Sequence, residues 1–254
     1  MQLELLKPVI LTALGVGGAT VIGAVIGFVF KGISHKFSDI VLSFAAGVML
    51  AAAVVGLILP SLEYGGNFAI LITVVGIFLG AALMHLIDRL VPHLHKMADN
   101  DIEGHRKTGL DKVILFVSAI AIHNLPEGIA AGVGFGTGNS AEALVIAGGI
   151  ALQNIPEGMV IIAPMIGAGV KPGKAFLLAA LTGAIEIVGT FIGYFASVSA
   201  VILPVALAFA GGTMLYVISD EMIPETHAHG HESGATYALL VGFCLMLVTD
   251  FFLG

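Results

Sequence analysis

Long apolar stretches alternate with short polar breaks along the whole 254-residue chain. A membrane-spanning helix needs about 20 mostly apolar residues. Eight stretches meet that length: Pro8–Phe30, Ile40–Leu62, Phe68–Leu90, Lys112–Thr137, Ala141–Ile166, Lys174–Ser197, Ala200–Ile223 and Ala235–Phe251. One long polar connection, Val91–Asp111, interrupts the series. The other breaks are short, which makes most consecutive helices antiparallel neighbours. The pattern predicts an all-α integral membrane protein. It is a single domain over residues 1–254, a bundle of eight transmembrane helices. Two histidine-bearing loops connect them, at about 91–111 and 224–234.

Lys and Arg set the orientation, because cytoplasmic loops carry an excess of both. Lys31, Lys36, Arg89, Lys96, Arg106, Lys107, Lys112, Lys171 and Lys174 fall on one side, and Lys7 alone on the other. This places the first, third, fifth and seventh loops in the cytoplasm and both termini outside. An even number of spans also requires the termini to share a side. The apolar N-terminal stretch has no charged leading region and no small-residue cleavage site after it, so it is expected to remain as a helix.

Composition narrows the class further. Hydrophobic residues make up 58% and charged residues 11%, with a mean hydropathy of +1.06. Soluble domains carry about a quarter charged residues, so a soluble enzyme and a disordered segment are both excluded. The formal net charge of −7 offers no basic surface for nucleic acid. The single cysteine, Cys244, permits no intrachain disulfide and no Cys-x-x-Cys knuckle. It is expected as a small buried hydrophobe. The chain has 34 glycines, many inside the spans, where small residues let helices approach closely.

The fourth and fifth spans carry a near-repeat at an offset of 30 residues. One copy reads His123-Asn124-Leu125-Pro126-Glu127-Gly128, and the other reads Gln153-Asn154-Ile155-Pro156-Glu157-Gly158. Antiparallel neighbours would place the two at similar depth, facing each other. Residues i and i+4 share a helix face, so His123 lies with Glu127 and Gln153 with Glu157. Asn124 and Asn154 lie on the same sides. A third acid, Glu186, sits midway along the sixth span. A carboxylate near the bilayer centre costs about 2.5–3.5 kcal/mol on insertion scales. No Lys or Arg is expected at that depth, so these acids must be protonated or meet a cation. Imidazole, carboxylate and amide oxygen together suit a divalent transition metal such as Zn²⁺, Fe²⁺ or Mn²⁺.

These paired hexads resemble those of the ZIP (Zrt-/Irt-like protein) metal transporters, the bacterial GufA-type branch above all. The resemblance covers nearly the whole chain. It implies a transporter that moves divalent metal into the cytoplasm across a bacterial inner membrane. Zinc is the first expected cargo, with iron, manganese, cobalt and cadmium behind it. His123, Glu127, Gln153 and Glu157 would form a primary metal site. Asn124, Asn154 and Glu186 would complete a second site sharing the two glutamates. Close bacterial relatives often have Asp where this chain has Asn154, and the neutral amide is a weaker ligand. No prosthetic group is implied. The partners are metal ions and lipid, with a homodimer as the candidate assembly and no nucleic acid.

Softer matches mark a cytoplasmic exit. Ser219–His227 resembles the segment that ends the seventh helix of the family, which would bring Asp220, Glu221 and Asp88 near the exit. His93, His95 and His105 lie in the third loop, and His227, His229 and His231 in the seventh. Flexible histidine tracts bind metal weakly. Met49 is expected in the core. The expected mechanism is carrier-like, with one helix set moving against another across glycine-lined contacts that permit sliding. A metal-selective channel through the same site is the competing reading. A membrane metalloprotease would require a His-Glu-x-x-His helix, which the chain lacks, so no enzyme activity is expected.

Overall fold

The computed structural model describes residues 2–30, 34–90, 121, 123–167 and 169–254. The described residues contain no strand. We label the helices α1 (Gln2–Val29), α2 (His35–Tyr64), α3 (Ala69–Leu90), α4 (123–133), α5 (Ser140–Gly167), α6 (Pro172–Ser197), α7 (Leu203–Thr226) and α8 (Glu232–Leu253). Seven are long and apolar enough to cross a membrane. The fourth is described continuously from residue 123, and residues 112–120 and 122 of the predicted Lys112–Thr137 span lie outside the described residues. The loop histidines His93, His95 and His105 also lie outside the described residues. The chain is an integral membrane protein of the predicted all-α class.

Local chemistry sets the helix ends. The Ser34 hydroxyl caps α2 by accepting the Phe37 amide at 3.3 Å. Asn139 caps α5 by accepting the Ala141 amide at 3.0 Å. Just before it Gly138, at φ +79°, turns the chain back in a conformation that side chains disfavour. This tight reversal brings the two hexads face to face. Prolines shape α2 and α7. Each contains a π-helical segment, Ala52–Ile58 and Ile218–Met222, shortly before Pro60 and Pro224. A proline removes one backbone donor, and a wider turn absorbs the defect.

Glycine positions sort the helices into sets. A Cβ at Gly23 or Gly27 of α1 would strike the α5 backbone, and one at Gly17 the α6 backbone. Gly128 and Gly132 sit directly against the α6 backbone, and Gly189 and Gly193 against α4. These seams lock α1, α4, α5 and α6 into one unit. Gly47 and Gly242 join α2 to α8 in the same way, while Gly80 and Gly212 join α3 to α7.

Side chains fill the space between this unit and a second set made of α2, α3, α7 and α8. Val48, Met49 and Leu57 of α2 meet Ala130, Ala131 and Val133 of α4, Ile146 and Ile150 of α5, and Leu207 and Met214 of α7. This core includes Met49, as expected. Cys244 departs from expectation, since it is exposed. It shares a face of α8 with Leu240, Val241 and Val248, all exposed. Its neighbours α2 and α5 cover the opposite side of α8.

Candidate metal centre

The α4–α5 turn sets the two hexads antiparallel, so the first residue of one faces the fifth of the other. Gln153 Nε2 donates to Glu127 Oε1 at 3.0 Å. At the other end of the pairing, Glu157 lies within electrostatic reach of His123. Glu127 and Gln153 are fully buried. Both helices continue through Pro126 and Pro156.

Four buried oxygens on these helices have no hydrogen-bond partner among the described residues: Glu127 Oε2, Gln153 Oε1, Asn154 Oδ1 and Glu157 Oε1. All four are acceptors in these orientations. A buried acceptor without a donor costs about 1–3 kcal/mol, more if charged. A cation bound among them would supply a missing partner.

Glu186 on α6 is arranged differently. Its Oε1 accepts the Thr20 hydroxyl of α1 at 2.6 Å and the Asn124 amide. Its Oε2 accepts Asn154 Nδ2 at 2.6 Å, and the same amide group reaches the Val16 carbonyl at 3.3 Å. Three donors from three helices surround the carboxylate. Both asparagines thus point nitrogen at Glu186, and an amide nitrogen has no lone pair to give a metal. Thr20 was missing from the sequence-derived set, and nothing in its glycine-rich surroundings distinguishes it.

His123 also reaches the second helix set. Its Nε2 lies 2.9 Å from Glu221 Oε1 on the π segment of α7. Neither atom makes a well-directed hydrogen bond. Asp88 of α3 joins them: one ligand atom each from Asp88, His123 and Glu221 lie within 4.8 Å of one another. His123 and Glu221 side chains are 15% and 18% exposed, against 1% for Glu127 and 0% for Glu186. Accessibility therefore rises from the central acids toward the end bearing His123. Away from that end, the apolar core closes over Glu127.

The remaining predicted residues scatter. Asp220 is exposed. His227 is held at both ring nitrogens, by the Ile223 carbonyl at 2.8 Å and Thr236 Oγ1 at 3.1 Å. His229 contacts Asp39 at 3.0 Å, and His231 is half-buried ahead of α8.

Known proteins resemble this chain in sequence. The ZIP zinc transporter family model matches residues 91–250. The chain is 44% identical over 166 residues to zinc transporter GufA of Myxococcus xanthus, a match covering 65% of each protein, so it spans just under two thirds of that relative. It is 38% identical over 243 residues to zinc transporter ZIPB of Bordetella bronchiseptica, covering 93% of this chain and 78% of the relative. It is 31% identical over 261 residues to zinc transporter ZupT of Streptococcus mutans, covering 98% of both. Matches of this extent settle the affiliation that the paired hexads indicate: the chain belongs to the ZIP zinc transporter family, in its bacterial GufA-type branch, a family of membrane transporters and not of enzymes.

Proposed function

We propose that this protein carries Zn²⁺ across a bacterial inner membrane into the cytoplasm, with Fe²⁺, Mn²⁺, Co²⁺ and Cd²⁺ as competing cargoes. The observation that carries the reading is the set of four buried, unpartnered acceptor oxygens on Glu127, Gln153, Asn154 and Glu157. Glu127, Gln153 and Glu157 hold the ion. Asn124, Asn154 and Glu186 form the adjoining hydrogen-bonded shell, and a second ion there would have to displace the amide donors. His123, Glu221 and Asp88 take the ion next, on its way to the cytoplasm. Lysine and arginine asymmetry orients the chain, with both termini outside. Alkaline phosphatase fused after Gly254 is then active in intact cells, and a silent fusion would reverse the orientation.

The helix sets support a carrier. Thr20, Glu127, Gln153, Glu157 and Glu186 all belong to the unit of α1, α4, α5 and α6. Glu221 and Asp88 belong to the other helices. Moving the first unit as a rigid body carries the central site intact past the apolar contacts that separate the sets. The apolar closure beyond Glu127 favours this over a continuously open channel. Each step needs ionised carboxylates, so metal entry releases protons and uptake weakens as pH falls.

The test is ⁶⁵Zn²⁺ uptake into proteoliposomes. Wild type is expected to show saturable uptake, and Glu127→Ala with Glu157→Ala to abolish it. Unchanged uptake in that double variant would refute the central site, and near-diffusive flux would favour the channel.

A further inference from the structure

Beside the first turns of α2 lies a second histidine–carboxylate group that the path just described does not use. Asp39 is 2% exposed. Its Oδ1 lies 3.0 Å from His229 Nδ1, in the loop between α7 and α8. Among the described residues its Oδ2 is buried without a partner, as is the Ser43 hydroxyl one helical turn further along. The His35 ring lies 4.9 Å from the His229 ring, centre to centre, at a tilt of 31°. Residues 35, 39 and 43 share one helix face, and the His229 loop folds over its exposed end. Among the described residues, His229 is the ion-pair partner of Asp39.

A buried carboxylate is costly unless paired. A neutral imidazole partner compensates only half of this one, because Oδ2 remains without a donor. Carboxylate and imidazole are also ligand types that Zn²⁺ takes. His35 is exposed and can turn without repacking the core.

We propose that Asp39, His229 and His35 form a separate binding site for a divalent transition metal at the end of the bundle shared with His123 and Glu221. The incoming M²⁺ takes an Asp39 oxygen and the His229 Nδ1 lone pair, while the single ring proton of the neutral imidazole moves through solvent from Nδ1 to Nε2, so that no net proton is lost. The carboxylate and two imidazoles then become ligands, and water completes a tetrahedral shell. Magnesium, which prefers all-oxygen octahedral shells, is rejected. An ion here ties the loop after α7 to α2. The inference rests on the transport reading only for the choice of ion, and the site is separate from the central acids.

Histidine carbethoxylation with diethyl pyrocarbonate, read by mass spectrometry on the purified full-length protein in detergent, tests it. Zn²⁺ is expected to protect His229 and His35 saturably, at least about fivefold, while Mg²⁺ leaves both reactive. Protection persists in Glu127→Gln/Glu157→Gln and is lost in Asp39→Asn. Equilibrium dialysis of His35→Gln/His229→Gln gives one fewer zinc ion per chain, which keeps the test valid if Asp39→Asn fails to fold. Unprotected His229 in the wild type, or an unchanged zinc count in the double variant, overturns the proposal. Protection that vanishes with the central acids would make the ion a spill-over from the central site and also overturn it. Loss of uptake with protection retained would leave this site standing while the transport reading is judged separately.

Discussion

His123 and Glu221 meet at 2.9 Å across the seam between the two helix sets. The histidine rides on α4 with the central acids, and the glutamate sits on the π segment of α7. A contact between the sets breaks or shifts when one moves, so this pair senses the carrier's position. Losing Glu221 removes a ligand without touching Glu127. Glu221→Gln should therefore slow zinc release, lowering maximal uptake by about tenfold or more, on the scale seen when groups supporting a metal are removed. Zinc binding by the resting protein should survive. Initial-rate ⁶⁵Zn²⁺ uptake alongside equilibrium dialysis checks this, and an unchanged maximal rate would remove Glu221 from the path.

Glycine substitutions test the interlocked unit. A methyl group on Gly128 would drive into the backbone of Glu186, whereas one on Gly148 meets nothing within 4 Å. Overpacking typically costs about 1–3 kcal/mol. At about 2–4 °C per kcal/mol for a chain of this size, Gly128→Ala should lower the midpoint of thermal unfolding by several degrees. It should also displace Glu186 and weaken zinc binding. Gly148→Ala should leave both unchanged or raise stability, since alanine favours helix. Thermal unfolding followed by size-exclusion chromatography separates the two, and equal melting would refute the seam.

Much of this was legible in the chain. Apolar length located the spans because lipid imposes a fixed thickness. The hexads exposed Glu127 and Glu157 because an acid in an apolar helix needs a chemical reason. Helical periodicity also grouped His123 with Glu127, but could not show that the imidazole turns toward α7. That depends on a long-range contact and on the π segment that re-aims Glu221. Thr20 stayed hidden because one hydroxyl among glycines carries no spacing signal. Asp39 and His229 lie 190 residues apart, and only the packing of α7 and α8 against α2 joins them.

Asn154 is neutral where an aspartate would be a stronger metal ligand, and the structure shows what the amide does. Its nitrogen donates to Glu186 at 2.6 Å and to the Val16 carbonyl at 3.3 Å. Asp at this position donates to neither. It would set a second carboxylate against Glu186, and two like charges at that separation cannot both stay ionised without a cation. In Asn154→Asp the metal-free protein should therefore unfold at a lower temperature than wild type. Zinc should reverse the loss, because the new carboxylate is a stronger ligand than the amide. A ligand that binds only the folded state stabilises it in proportion to the logarithm of its concentration over Kd. The zinc-induced rise should thus exceed that of wild type, and the bound-zinc count should increase toward two in the central region. Unfolding curves with and without Zn²⁺, paired with dialysis, provide the check. A zinc-induced rise no larger than wild type would mean that residue 154 serves only to hold Glu186 and never faces the ion.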